Sequence, residues 1–148
     1  MKYILTTIIL LLFLACSKST PIPEPEPVHE SYLSPKALQQ LNFNGQELIT
    51  VKIKNDFYYI RKDGKKMFTL TYDDKADEFS DGLARTKVDG KIGFFNANLD
   101  IVLKPIYDFA FPFHHGTAEI CMGCKEKAGS MLDGGKWKKI NRDGLVIE

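Results

Sequence analysis

Two cysteines two residues apart, Cys121 and Cys124 in "CMGC", are the side chains of this sequence best suited to covalent chemistry. Such a pair can cycle between dithiol and disulfide, the reaction of a thiol-disulfide oxidoreductase. Those enzymes place the pair at a helix N-terminus behind a buried strand, where the dipole activates one thiol. Cys121 instead follows the strand-like run "TAEI", and Cys124 precedes the loop "KEKAGSMLDGG". In an oxidising compartment the other reading is a local disulfide, Cys121 to Cys124, that closes this enlarged loop. His114 and His115 would add two nitrogens to the two sulfurs, the donor types zinc takes. Adjacent residues of a strand point to opposite faces, however, and these two occupy a turn, so the expectation is solvated histidines and no metal. "CMGCK" also lacks the histidine needed for covalent haem attachment.

The charged runs are less specific. "DDKADEFSD" gathers Asp73, Asp74, Asp77, Glu78 and Asp81 without the spacing or turn glycine of a calcium loop, and reads as a solvated connection. Basic residues collect in "KIKNDFYYIRKDGKK" and "KWKKINRDG". Interleaved with Tyr58, Tyr59 and Trp137, the candidate binding residues, they could hold an anionic or sugar-bearing polymer by charge and stacking. The alternative is that the lysines are outward positions of exposed strands, where they discourage edge pairing. The sequence has no nucleophile elbow, no phosphate-binding glycine loop and no histidine placed to serve a serine or thiol. No catalytic residue and no cofactor are therefore expected, and the chain reads as non-enzymatic.

These groups must be positioned by what remains after the first 15 residues are set aside. "MKYILTTIILLLFLAC" has one lysine and an apolar run from Tyr3 to Ala15 broken only by Thr6 and Thr7. The run is too short to span a bilayer, which takes about 20 apolar residues, and fits a cleaved export signal. A small residue directly before Cys16 resembles a bacterial lipoprotein signal, which implies acylation of Cys16 and a membrane partner through the lipid. Ser17, in place of an aspartate, implies the outer membrane. Without Lys2, 19 of the 20 basic residues face 19 acidic ones, so nucleic acid is not expected as a partner. Residues 16–33 then carry proline at 21, 23, 25 and 27, a semi-rigid polyproline tether. Ser34 and Pro35 suit the cap and first turn of one short helix across "SPKALQQL".

From there to residue 148 the sequence alternates turn signals, including Asp63-Gly64, Asp89-Gly90 and Asp143-Gly144, with short apolar or alternating runs, the mark of antiparallel hairpins. Tyr72-Asp73 returns as Tyr107-Asp108, 35 positions on, and Phe79, Gly82 and Ala84 return as Phe113, Gly116 and Ala118, 34 positions on. Ile60, Phe95 and Ile140 continue the series at intervals of 35 and 45. The fold class is therefore all-β: tandem hairpin or meander repeats, in three partial copies of about 43–72, 79–107 and 113–148. A unit of three short strands cannot bury its own aromatic face, so copies must lean together to share a core.

The pattern "YD…F.DGLA…DGKIGFFN…IVL.PIYD…F..G.A" resembles the WG-repeat family over about residues 43–148. The name-giving dipeptide is split: Ile92-Gly93 keeps the glycine, Trp137-Lys138 keeps the tryptophan, and Phe57-Tyr58, at the matching place of the first copy, has neither. At the first position of each, residues 57, 92 and 137 are expected to anchor the interior of a copy. Gly93 is expected to admit a neighbouring backbone, and Pro105 to edge its strand. The expected role is a lipid-anchored, non-catalytic binding or structural module of the cell envelope, whose partner is an envelope protein or cell-wall polymer. The rival readings are the envelope thiol oxidoreductase on Cys121 and Cys124, and an immunity-type lipoprotein that binds a protein toxin.

Overall fold

The computed structural model describes residues 31–127 and 131–148, with the backbone alone at Met131. The expected leader, the expected acylation at Cys16 and most of the expected tether lie outside these residues, as do residues 128–130. Three meanders follow one another. β1 (Ser31–Tyr32) joins β2 (Leu48–Ile53), β3 (Asp56–Arg61) and β4 (Lys65–Thr69) in a sheet of order β1-β4-β3-β2. A two-stranded hairpin, β5 (Thr71–Tyr72) and β6 (Lys75–Ala76), leads to β7 (Leu83–Val88), β8 (Lys91–Asn96) and β9 (Ile101–Tyr107), paired in that order. β10 (Phe109–Ala110), β11 (Thr117–Lys127) and β12 (Met131–Asn141) form the third sheet, and Leu145 to Glu148 run back along β12. All these pairings are antiparallel. The helix is shorter than expected: α1 spans only Pro35–Leu38, with the Ser34 hydroxyl accepting from the Ala37 amide.

Alternation explains how the copies share a core. On β8, Phe94 and Phe95 are adjacent and therefore face opposite ways, yet both are completely buried. Phe95 enters a cluster with Tyr59, Ala84 and Leu99, which joins the first copy to the second. Phe94 enters a larger cluster with Phe113, Ala118, Ile120 and Ile140, which joins the second to the third. The middle copy is thus covered on both sides. Ile60, Phe95 and Ile140, matched by spacing alone, are buried alike.

The copies also meet at their turns. Asp81-Gly82 and His115-Gly116 are two-residue turns with both central φ angles positive, each flanked by a short bridge, Ser80 to Leu83 and His114 to Thr117. One sits against the other: the Gly116 amide donates to Asp81 Oδ2 at 2.7 Å, and the Ser80 hydroxyl donates to the Phe113 carbonyl at 2.5 Å. Arg61 and Lys65 make the corresponding bridge between the first two copies, through the Asn98 carbonyl at 2.9 Å and Asp100 at 2.9 Å.

Tyr72 and Tyr107 are not equivalent, contrary to their spacing. Tyr72 stands 73% exposed before the Asp73-Asp74 turn of the β5–β6 hairpin, whereas Tyr107 is 6% exposed in the core. The cause is a bulge in β9. Phe94 faces Leu103 and Ile92 faces Tyr107, so two steps on β8 oppose four on β9. The excess crosses over Gly93, where a Cβ would lie 2.6 Å from the Leu103 carbonyl and 2.7 Å from the Pro105 nitrogen. The first copy has Tyr58 where the second has Gly93, and there β4 runs straight, with Tyr58 opposite Phe68. The residues that the second copy uses in its bulge are placed by the first in a separate hairpin.

Candidate functional site

The disulfide hairpin of the third copy gathers most of the chemistry-bearing groups. Cys121 on β11 lies between Phe109 on β10 and Trp137 on β12, all three in register. Residues i and i+3 of a regular strand point to opposite faces. Gly123 adopts φ +80°, outside the strand region, and this kink brings Cys124 to the side of Cys121, where the two are bonded with Cα atoms 6.0 Å apart. Gly135, facing the kink at φ +74°, has no room for a side chain: a Cβ would lie 2.6 Å from both sulfurs. The bridge therefore braces the stem of the hairpin, rather than closing its tip as the sequence suggested. Cys121 is fully buried and Cys124 is 8% exposed.

Asp108 secures the same region from the second copy. Its carboxylate accepts from the Gly123 amide and pairs with Lys91, and its own amide donates to the Cys121 carbonyl at 3.0 Å. The Lys91 hydrogen bond, followed by the Gly123 amide, holds the Asp108 carboxyl below its usual range.

The expected binding residues do not form one constellation. Tyr58 is half-buried on β3 with its ring edge against Phe68, centroids 5.8 Å apart, and Lys66 Nζ 5.6 Å from its ring. Tyr59 cannot offer a surface ring. It is buried in the shared core, its hydroxyl donates to the Asp77 carbonyl at 2.9 Å, and burial raises its pKa. Trp137 belongs to a different sheet and is 46% exposed, so it is not the interior anchor its alignment with Ile92 implied. In the second copy Tyr107 on β9 covers Ile92, whereas in the third the returning segment pairs with β12 only at Lys139 to Asn141 and stops short of the indole. His114 and His115 lie side by side in their exposed turn, and among the described residues no three His, Cys, Asp or Glu side chains gather as metal ligands.

Sequence reasoning missed two groups. Phe109 and Phe111 share the outward face with Trp137: Phe109 stands edge-on to the indole at 5.9 Å, and Phe111 lies nearly parallel to it, 28° at 6.0 Å. The period-two run "FAF" is the signal that could have found them. Asp77, read as solvated, is buried, and its carboxylate takes the Arg85 guanidinium at 2.5 and 3.0 Å and the Arg85 amide at 2.9 Å. Arg85 Nη1 continues to the Ala110 carbonyl of the third copy at 2.8 Å. A groove between the first two copies, bordered by Glu47, Leu48 and Ala97, is open and of mixed polarity; its charged walls are paired, Arg61 with Asp63 and Lys62 with Glu47.

Stacked antiparallel meanders sharing cores, with aromatic and charged residues left on the outer faces, define an all-β tandem-repeat protein. The model of the WG containing repeat matches residues 59–91 and again 92–125, and the chain is a WG-repeat protein. Comparison with curated proteins and with solved structures gave no match.

Proposed function

We propose that this WG-repeat chain is a lipid-anchored cell-envelope protein whose repeat array is a non-catalytic binding or structural module, held off the outer membrane by its proline-rich tether. The observation that carries the reading is the division of residues between core and surface. The largest buried side chains, Phe94, Phe95, Phe113, Ile120 and Ile140 among them, are spent on packing copy against copy, and the outside carries turns, lysines, one aromatic patch and scattered apolar residues such as Tyr72, Ile106 and Leu145. Such a surface recognises a partner by strand faces and loops. Burial of both sulfurs supports a structural role for Cys121 and Cys124, since exchange needs a thiolate that can reach an exposed sulfur. The apolar leader ending at Ala15-Cys16 supports the anchor.

Two measurements test it. Mass spectrometry of the membrane fraction should find Cys16 acylated, and Cys16→Ser should release the protein from that fraction. Crosslinking in intact envelopes should then recover a wall polymer or envelope protein with the native chain. Cys16 found unmodified in a soluble fraction, or hydrolytic or redox turnover by the purified chain, would overturn the reading.

A further inference from the structure

We propose that Phe109, Phe111 and Trp137 form a stacking subsite for the apolar face of pyranose sugars, so that the module's ligand is a glycan. This rests on the binding-module reading and gives it a chemical class. Trp137 and Phe111 are each 46% exposed, and their near-parallel planes make a flat patch, backed by Phe109 edge-on to both. Exposed ring pairs on a mobile loop would cost entropy to order on binding; these are held in place beforehand. Trp137 is in register with the disulfide-bonded Cys121, and that bond packs on Gly135 two residues away.

The size of the patch selects the occupant. Half of two aromatic side chains is roughly 200 Å², given about 150–250 Å² for each when fully covered. A stable protein interface takes about 800 Å² from each partner, so this surface by itself is too small to make one. It matches one or two sugar rings. The same face carries what hydroxyl groups need at the rim: Glu119 is exposed beside Phe111 on β11 and accepts, and Lys139, across the ladder from Glu119 and paired with Glu148 at 2.9 Å, donates. The patch is open rather than enclosed, which suits a ring within a polymer over a free monosaccharide.

Trp137 is the only tryptophan of the chain, so its emission reports on the subsite directly. The probes are the β-1,4 hexamer of N-acetylglucosamine and cellohexaose, titrated into the purified full chain, with affinities checked by calorimetry. At least one hexasaccharide should change the emission saturably. Phe111→Ala should weaken that binding about tenfold, the size of one lost aromatic stack. Trp137→Phe, which keeps an aromatic ring, should retain most of it, and the circular dichroism of both variants should match the native chain. Response to the acetylated hexamer alone points to wall glycan, and response to both points to recognition of the bare pyranose face. Silence toward both at millimolar concentration, or binding that Phe111→Ala leaves unchanged, overturns the proposal. Capture of a protein partner by the native chain without any sugar response would overturn it while leaving the binding-module reading intact.

Discussion

Replacing Gly93 by alanine tests whether the β9 bulge is built on that glycine. The added Cβ would stand 2.6 Å from the Leu103 carbonyl, 2.7 Å from the Pro105 nitrogen and 2.9 Å from its Cα. All three are backbone atoms, so no side chain can rotate away. Ordinary contact begins at 3.4 Å, so β9 must retreat by most of an ångström, carrying the buried Leu103 and Tyr107 with it. Overpacking of this kind costs about 1–3 kcal/mol, and a weakened ladder hydrogen bond adds about 1 kcal/mol. The alanine returns about 0.5–1 kcal/mol through the unfolded chain, which leaves a net loss of about 1–3.5 kcal/mol, centred a little above 2. For a domain of this size each kcal/mol moves Tm by about 4–5 °C, so the variant should melt about 10 °C lower by circular dichroism. Gly90→Ala is the control: nothing lies within 4 Å of its Cβ, but its φ of +79° imposes about 1 kcal/mol of backbone strain and a fall of about 4–5 °C. If Gly93→Ala melts within two or three degrees of the native chain, or above Gly90→Ala, the account of the bulge is wrong.

Other perturbations separate the remaining interactions. Asp77→Ala should destabilise by about 3–5 kcal/mol in urea, because it strands the buried Arg85 guanidinium; the double variant with Arg85→Met should recover much of that loss, and purely additive losses would refute the pairing. The Asp108 carboxyl titrates below its free value, so its contribution is complete above the unfolded pKa of about 3.9 and disappears as pH falls through the lower folded value. NMR titration should show that low midpoint, and Lys91→Met should move it upward; no movement would remove Lys91 as the cause. In native protein treated with dithiothreitol and iodoacetamide, alkylation of Cys121 and Cys124 should lag and accelerate with urea in step with unfolding, since both sulfurs are covered; prompt alkylation without urea would contradict this.

The repeat was legible because its cause is local. Turn residues at Asp81-Gly82, Asp89-Gly90 and His115-Gly116, and the short runs of strand length between them at β7 and β8, are written in consecutive residues, and so is the all-β class. Gly93 was correctly read as a point of close approach, though not as the seat of a bulge that would shift Tyr107 out of step with Tyr72. That bulge depends on a residue pair, Gly93 with Pro105, in two strands at once, and a copy lacking the glycine gives no sign of where its surplus residues go. Asp77 was hidden for the same reason: a buried ion pair is invisible until Arg85 is brought beside it. Trp137 was misplaced because alignment shows what a position does in a copy flanked on both sides, and at β12 the covering strand stops one step too soon. Cys121 and Cys124 looked like the closure of a loop because spacing does not show that Gly123 turns the chain between them.

Arg85 gives the array a mechanical character. With its guanidinium on Asp77 in the connector, its backbone carbonyl receiving the Thr69 hydroxyl at 3.1 Å, and Nη1 on the Ala110 carbonyl, one residue ties a piece of every copy through side chain and backbone together. A load applied along the chain meets these ties at one point, because freeing any of the units withdraws a hydrogen bond from the same residue. The three copies should yield together, as a rivet fails, and not link by link.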